Sequence, residues 1–172
     1  KNMLREFDKK SSVIDLGCGS GSTLELFRTS GFKNSIGIDF IINSILCCER
    51  RGFVRGADVF LMDAVHTSFR DKQFDIVFSE GMWEHFEDPR LYISEACRIS
   101  KRYIIVIQPN HYSLFGRLML IGWCVLRRKG VKEYSYKMSY FKHQLMSHGF
   151  DLIRSCSTIF NEHAIMVFEE RD

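Results

Sequence analysis

The sequence predicts an α/β domain, a largely parallel sheet with helices on both faces. Short apolar runs alternate with helix-like segments along the chain, the pattern of a parallel sheet covered on both sides. The first apolar run leads straight into a glycine-rich turn. The length of 172 residues suits a single domain, 1–172, large enough to bury a real core.

The elements follow in order. Val13-Ile14-Asp15-Leu16 is the first strand. The glycine-rich turn comes next, then a helix from Ser22 to Ser30 that Gly31 stops. Ser35 to Ile38 is the second strand. Ile41 to Arg51 is a helix ended by Gly52, and Val59-Phe60-Leu61 is a short third strand. Phe74 to Ser79 is strongly β-prone. Pro89 opens a helix at its first turn, and that helix runs to Ile99. Tyr103 to Ile107 is a buried fifth strand stopped by Pro109. Ser139 to His148 is a helix ended by Gly149. Two strands near 150–155 and 164–168, joined by a polar link at Asn161 and Glu162, can pair antiparallel.

Composition narrows the function classes. The chain is 45% hydrophobic and 26% charged, as in ordinary globular domains. A net charge of +3 is too weak to argue for a nucleic-acid partner. The cysteines Cys18, Cys47, Cys48, Cys97, Cys124 and Cys156 form no C-x-x-C pair, so a zinc ribbon or thioredoxin-type site is not expected. Several lie in apolar runs, where reduced cysteine packs as a small hydrophobe. With no apolar leader at the start, this predicts a reducing, cytoplasmic setting.

The richest chemistry lies in Val13-Ile-Asp15-Leu-Gly17-Cys18-Gly19-Ser-Gly21. Glycine is needed where backbone takes positive φ or lies against a ligand. After a strand and before a helix, alternate glycines make a floor for a nucleoside-bearing ligand. The spacing differs from the Gly-x-Gly-x-x-Gly that seats a dinucleotide pyrophosphate. Asp15, two positions ahead of the first glycine, would repel pyrophosphate but suits a cationic ligand with an ammonium group. Asp39 ends the second strand, 24 residues after Asp15, where an acid can accept both ribose hydroxyls. The alternative is that both acids are simply polar strand ends.

Taken together, VIDLGCGSG, IGID and FDIVFSEGMWEHFEDP resemble the motifs of class I S-adenosylmethionine-dependent methyltransferases. The similarity is strongest to the branch that methylates small molecules, quinones and lipids, and it covers nearly the whole chain. The resemblance implies a Rossmann-like three-layer αβα sandwich with strand order 3-2-1-4-5-7-6 and an antiparallel last strand. It implies S-adenosylmethionine as cofactor and S-adenosylhomocysteine as product. Gly17, Cys18, Gly19 and Gly21 would then line its methionine and ribose portion, with Asp15 near the ammonium. Asp39 would bind the ribose and Phe40 would lie beside the adenine. Asp63 would accept from the adenine amine, unless it is a turn residue, and the Ala64 N–H would meet a ring nitrogen. Ser79 and Glu80 end the fourth strand at the ligand-facing edge.

Catalytic candidates are Glu84, His85 and His111. Histidine can act as a base near neutral pH, and a Glu/His pair can also ligate a metal, though no metal site is assigned. The alternative for His85 is a backbone-bonded histidine that orders the loop. The segment 110–137 is an insertion, expected to cover the acceptor. Within it, Leu114 to Leu126 is apolar nearly all round and too short to span a bilayer, and Arg127, Arg128, Lys129 and Lys132 follow. With Trp123 it could form a pocket wall or a dimer helix, or 114–129 could lie peripherally on an anionic membrane. The resulting expectation is methyl transfer to a small-molecule or lipid-like acceptor. A module that holds the cofactor without turnover is the alternative. An NAD-dependent oxidoreductase is disfavoured by the glycine spacing and the final antiparallel pair.

Overall fold

Strands buried on both faces must be apolar at successive positions, and the runs read above pair edge to edge for that reason. A computed structural model describes residues 3–114, 116–118, 121–122, 133–159, 161 and 163–171. The strands are β1 (Val13–Leu16), β2 (Ser35–Asp39), β3 (Val59–Leu61), β4 (Phe74–Glu80), β5 (Ser100–Pro109), β6 (Phe150–Ser157) and β7 (His163–Glu170). They form a 7-stranded sheet in the order β3-β2-β1-β4-β5-β7-β6. β1 pairs parallel with β2 and β4, β2 with β3, and β4 with β5. β7 runs antiparallel between β5 and β6. This is the expected order, with the expected reversed last strand.

The helices are α1 (Ser22–Thr29), α2 (Ile42–Arg50), α3 (Arg90–Ile99) and α4 (Met138–Ser147), with short 3₁₀ turns at Met3–Glu6 and Trp83–His85. Alternation along each strand divides the core between the two faces. On one face Phe27 of α1 packs with Val13, Ile76, Phe78 and Ile105. Ile45 and Cys48 of α2 continue that layer with Leu24 and Val59. On the other face Ile93 and Ala96 of α3 and Phe141 and Leu145 of α4 pack on Ile14, Leu16, Val77, Ile104 and Val106. Gly37 in β2 permits the tight seating of α1: a Cβ there would lie 2.6 Å from Leu24 Cδ1 and 2.7 Å from Cys18 Cβ.

Two elements differ from expectation. Pro89 caps α3 from outside rather than sitting in its first turn. β5 is longer than its apolar run, because β7 pairs with it as far as Gln108 and Pro109. Proline fits this last position because its missing N–H ends the ladder. Of the insertion 110–137, Trp123, Arg127, Arg128, Lys129 and Lys132 lie outside the described residues, as does Cys124. The parallel registers Leu16↔Ile38 and Leu16↔Ser79 bring the C-terminal ends of β2, β1 and β4 together at one edge.

Candidate functional site

At that edge the chain leaves β1 and must turn sharply into α1. Gly17, Gly19 and Gly21 take φ of 75°, 52° and 79°, a region costly for residues with a Cβ. The N–H groups of Gly17 and Cys18 both donate to the Ile38 carbonyl at 2.9 Å, which fastens the loop to β2. A Cβ on Gly17 would lie 2.9 Å from Met82 Sδ, whereas one on Gly19 would meet nothing within 4 Å.

Asp39 organises the other side. Its Oδ2 accepts from Gly19 N–H at 2.9 Å and its Oδ1 from Ile41 N–H at 2.8 Å. A carboxylate has about four lone-pair directions, so these two bonds leave acceptor capacity for a further partner, and Asp39 lines the adjoining cavity. That cavity has a volume of about 460 Å³, within the roughly 300–1,000 Å³ typical of ligand pockets. Gly17 and Gly19 form its floor. Asp39, Phe40, Ile41 and Ser44 form one wall, and Gly81, Met82 and His85 form the opposite one. Met62 and Ala64 close it with the stacked rings of Phe86 and Tyr92, whose centroids are 3.8 Å apart at 22°.

The electrostatics are one-sided. Asp15 is buried beneath the loop. Burial first, then the charges of Glu80 and Asp39, push its carboxyl well above the usual carboxylate range. Glu80 is exposed and accepts from the Thr23 hydroxyl at 2.9 Å. Among the described residues no Lys, Arg or His forms an ion pair with Asp15, Asp39 or Glu80. A glycine cradle, a bidentate acceptor and an acid group without a countercharge fit a nucleoside that carries positive charge.

The structure thus brings Gly17, Gly19, Asp39, Phe40, Ala64 and His85 together on one cavity and places the other candidates off its wall. Cys18 turns its side chain toward Gly37, with its Sγ 2.9 Å from where a Cβ would stand. Gly21 backs onto Cys48 and Phe53 instead. Asp63 is exposed, and its Oδ1 accepts from Val65 N–H at 3.1 Å, a turn contact. It still lies near enough to act on the Tyr92 phenol, which is raised by burial and then by Asp63.

Adjacent Glu84 and His85 diverge. His85 faces the cavity, while Glu84 is buried, with its carboxyl raised to about 7 by burial and, secondarily, by Glu133. His111 is also buried, with Nδ1 3.3 Å from Ser135 Oγ and Nε2 3.6 Å from Glu133 Oε2. Burial holds its imidazole below the ordinary value although Glu133 pulls the other way. Ser79 Oγ, Trp83 Nε1, Glu84 Oε2 and the Gln108 amide are buried without a hydrogen-bond partner among the described residues. Sequence reasoning missed Ser44, Met62, Gly81, Met82, Phe86 and Tyr92. Only Gly81, directly after β4, carried a signal, as a glycine at a strand's ligand-facing end.

Fold and site together define a nucleoside-binding α/β domain of the transferase type. Residues 14–106 match the family described as Methyltransferase domain. The chain belongs to that family, within the class I S-adenosylmethionine-dependent methyltransferases. "Probable tRNA methyltransferase 9B" of Bos taurus is 26% identical over 125 residues, which is 73% of this chain and 24% of that protein. "Probable tocopherol O-methyltransferase, chloroplastic" of Oryza sativa subsp. japonica is 28% identical over 123 residues, 67% of this chain and 30% of that protein. The chain therefore spans about a quarter to a third of the length of these curated relatives. The crystal structure of the PH0226 protein from Pyrococcus horikoshii superposes with a TM-score of 0.80 at 19% identity, covering 99% of this chain and 86% of that one. Magnesium protoporphyrin IX methyltransferase from Synechocystis, with bound S-adenosylhomocysteine, gives 0.73 at 21% identity, covering 94% and 74%. Both structural likenesses concern the fold.

One expected result follows from Asp15. An ammonium group bound beside it would favour the carboxylate and lower its pKa again. Binding of S-adenosylhomocysteine should then release protons, and affinity should rise with pH across the range where Asp15 of the free protein titrates. Calorimetry in two buffers of different ionisation heat should give different apparent enthalpies, and Asp15→Asn should remove the difference. Equal enthalpies for the unaltered protein at every pH would contradict this.

Proposed function

We propose that the chain is the catalytic domain of an S-adenosylmethionine-dependent methyltransferase that acts on a small-molecule or lipid-like acceptor. The observation that carries this reading is the cradle formed by Gly19 and the Asp39 carboxylate beside a mostly apolar cavity. S-adenosylmethionine supplies, when bound, an electrophilic methyl group whose bond to sulfur breaks as its bond to the acceptor's lone pair forms, leaving a neutral thioether.

The chain's own residues bind and orient. Gly19 admits the ligand without a Cβ in the way. Asp39 accepts ribose hydroxyls through its open lone pairs. Glu80, joined by Asp15 once an ammonium beside it draws off its proton, would provide the negative field for that ammonium. Ile41, Met62 and the Phe86–Tyr92 stack offer an apolar slot for a flat ring. His85 is the wall residue placed to take a proton from an acceptor that carries one. Orientation alone is worth roughly 7–11 kcal/mol in well-aligned reactions, so a chemistry of this kind needs few dedicated groups. The free thiols of Cys18, Cys47, Cys48, Cys97 and Cys156 support a cytoplasmic setting.

A second reading, transfer to tRNA, is favoured by the name of the Bos taurus relative. The modest charge of +3 favours the first. Calorimetry with S-adenosylmethionine and S-adenosylhomocysteine, followed by transfer of labelled methyl into lipid and metabolite extracts and separately into tRNA, tests both. The expected result is binding of both compounds and label in the extracts. Label only in tRNA would favour the second reading. Binding without any transfer would leave a cofactor-holding module, and no binding would remove the proposal.

A further inference from the structure

The part of the cavity lining that contains His85 and Phe86 is a short turn that its own hydrogen bonds hold loosely. At the 3₁₀ turn Trp83–His85, His85 N–H donates to the Met82 carbonyl at 3.2 Å and Phe86 N–H to the Trp83 carbonyl at 3.3 Å. These lie at and just beyond the long end of ordinary N–H···O bonds, about 2.7–3.2 Å. The end of so short an element also leaves carbonyls that nothing inside it can pair. Residues 133–137, which lead into α4, supply partners. Tyr134 N–H donates to the Glu84 carbonyl at 2.7 Å. The Tyr136 hydroxyl lies 2.9 Å from the Phe86 carbonyl and 2.8 Å from the Glu87 carbonyl. His85 and Phe86 therefore sit between a carbonyl held by Tyr134 and two held by Tyr136.

A phenol carries one proton, so the two carbonyls share a single donor. Burial, then the neighbouring Tyr140, raises this phenol above its ordinary value, which keeps it protonated and donating. Its ring is held from α4. It stacks on Tyr140 with centroids 5.0 Å apart at 28° and lies 5.4 Å from the ring of Phe141, a core residue. A phenylalanine could pack in the same place, but it has nothing to offer the turn. Tyr136 does not itself line the cavity; it acts on it through Phe86, whose ring stacks on Tyr92 in the lining.

We propose that Tyr136 is a positioning residue for the cofactor: its hydroxyl sets the place of the Phe86 ring, and with it the slot for the flat ring of S-adenosylmethionine. This rests on the reading of the cavity as the cofactor's seat. Tyr136→Phe tests it, because the ring stays and only the hydroxyl goes. Hydrogen exchange read by mass spectrometry on the ligand-free variant should be faster in the stretch 83–88. Calorimetry should show the affinity for S-adenosylhomocysteine lowered roughly threefold to tenfold, the worth of about one hydrogen bond. Adenine should lose a similar factor, since the flat ring is what the slot meets. Tyr140→Phe, which removes the neighbouring hydroxyl from the same stack, should change neither exchange nor affinity. A hydroxyl with a merely structural role would lower the melting temperature of Tyr136→Phe and leave the exchange of 83–88 and both affinities as they were, and that result would overturn the proposal. So would a loss for S-adenosylhomocysteine that adenine does not share. Failure of the unaltered protein to bind S-adenosylhomocysteine would instead bring down the cofactor reading, and this proposal with it.

Discussion

Asp39→Ala is expected to lower the affinity for S-adenosylhomocysteine by roughly 100-fold or more. Hydrogen bonds to a charged group contribute about 1.5–3 kcal/mol each, and two ribose hydroxyls would share this carboxylate. The same substitution also frees the N–H groups of Gly19 and Ile41, which Asp39 holds at 2.9 and 2.8 Å. Loosening of the loop therefore adds to the loss. The two effects separate by ligand. Calorimetry with adenosine should show a large drop, while adenine, which has no ribose, should bind the variant nearly as well as the unaltered protein. Affinity for S-adenosylhomocysteine unchanged by the substitution would refute the ribose role. A parallel loss for adenine would instead assign Asp39 to loop structure alone.

Glu84→Gln is expected to stabilise the protein at alkaline pH and to do little near pH 4.5. The folded chain holds the Glu84 carboxyl up to about 7 against an ordinary value of 4.5, so between those values the native state binds a proton that the unfolded chain has lost. Stability therefore falls as pH rises through that window, by about 1.4 kcal/mol per pH unit. Above it the ionised, buried carboxylate costs about 3 kcal/mol, which glutamine avoids while keeping the shape. For a domain of this size 1 kcal/mol moves the melting temperature by about 2–4 °C. Melting curves at pH 8 should thus place Glu84→Gln several degrees above the unaltered protein, with the gap closing on acidification. A gap independent of pH would show that Glu84 does not titrate as its burial requires. The Glu133 carboxylate adds to the effect, so Glu133→Gln should shrink it.

The strands were legible because a parallel sheet buried on both faces spells its members as continuous apolar runs, as in the stretch Tyr103 to Ile107 of β5. Strand order was not, since nothing in the residues of β7 says that it enters between β5 and β6; that expectation rested on family resemblance. Part of the site was equally visible. Gly17, Gly19 and Asp39 carry functional signals through their combination, because alternate glycines after one strand and an acid at the tip of the next are together the makings of a nucleoside cradle. Tyr92 and Phe86 do not, since an aromatic residue on a helix or in a turn reads as core until a partner such as their stacked pair is seen. Glu84 and His85 show the limit most clearly. Side chains in a 3₁₀ turn point about 120° apart, so neighbours that look like one dyad in the sequence serve the interior and the cavity separately.

The placement of β7 has a consequence for biosynthesis. Among the described residues its 8 residues are the only strand neighbour of β6, and they complete β5 on its open side. Val167 and Phe168 also reach the cores on opposite faces. A nascent chain that has emerged from the ribosome as far as β6 therefore holds an unzipped β5 edge and an orphan strand, both prone to pair with other polypeptides. Productive closure waits for the final strand to thread between them. Premature termination before His163 would accordingly yield an aggregation-prone remnant rather than a smaller working domain.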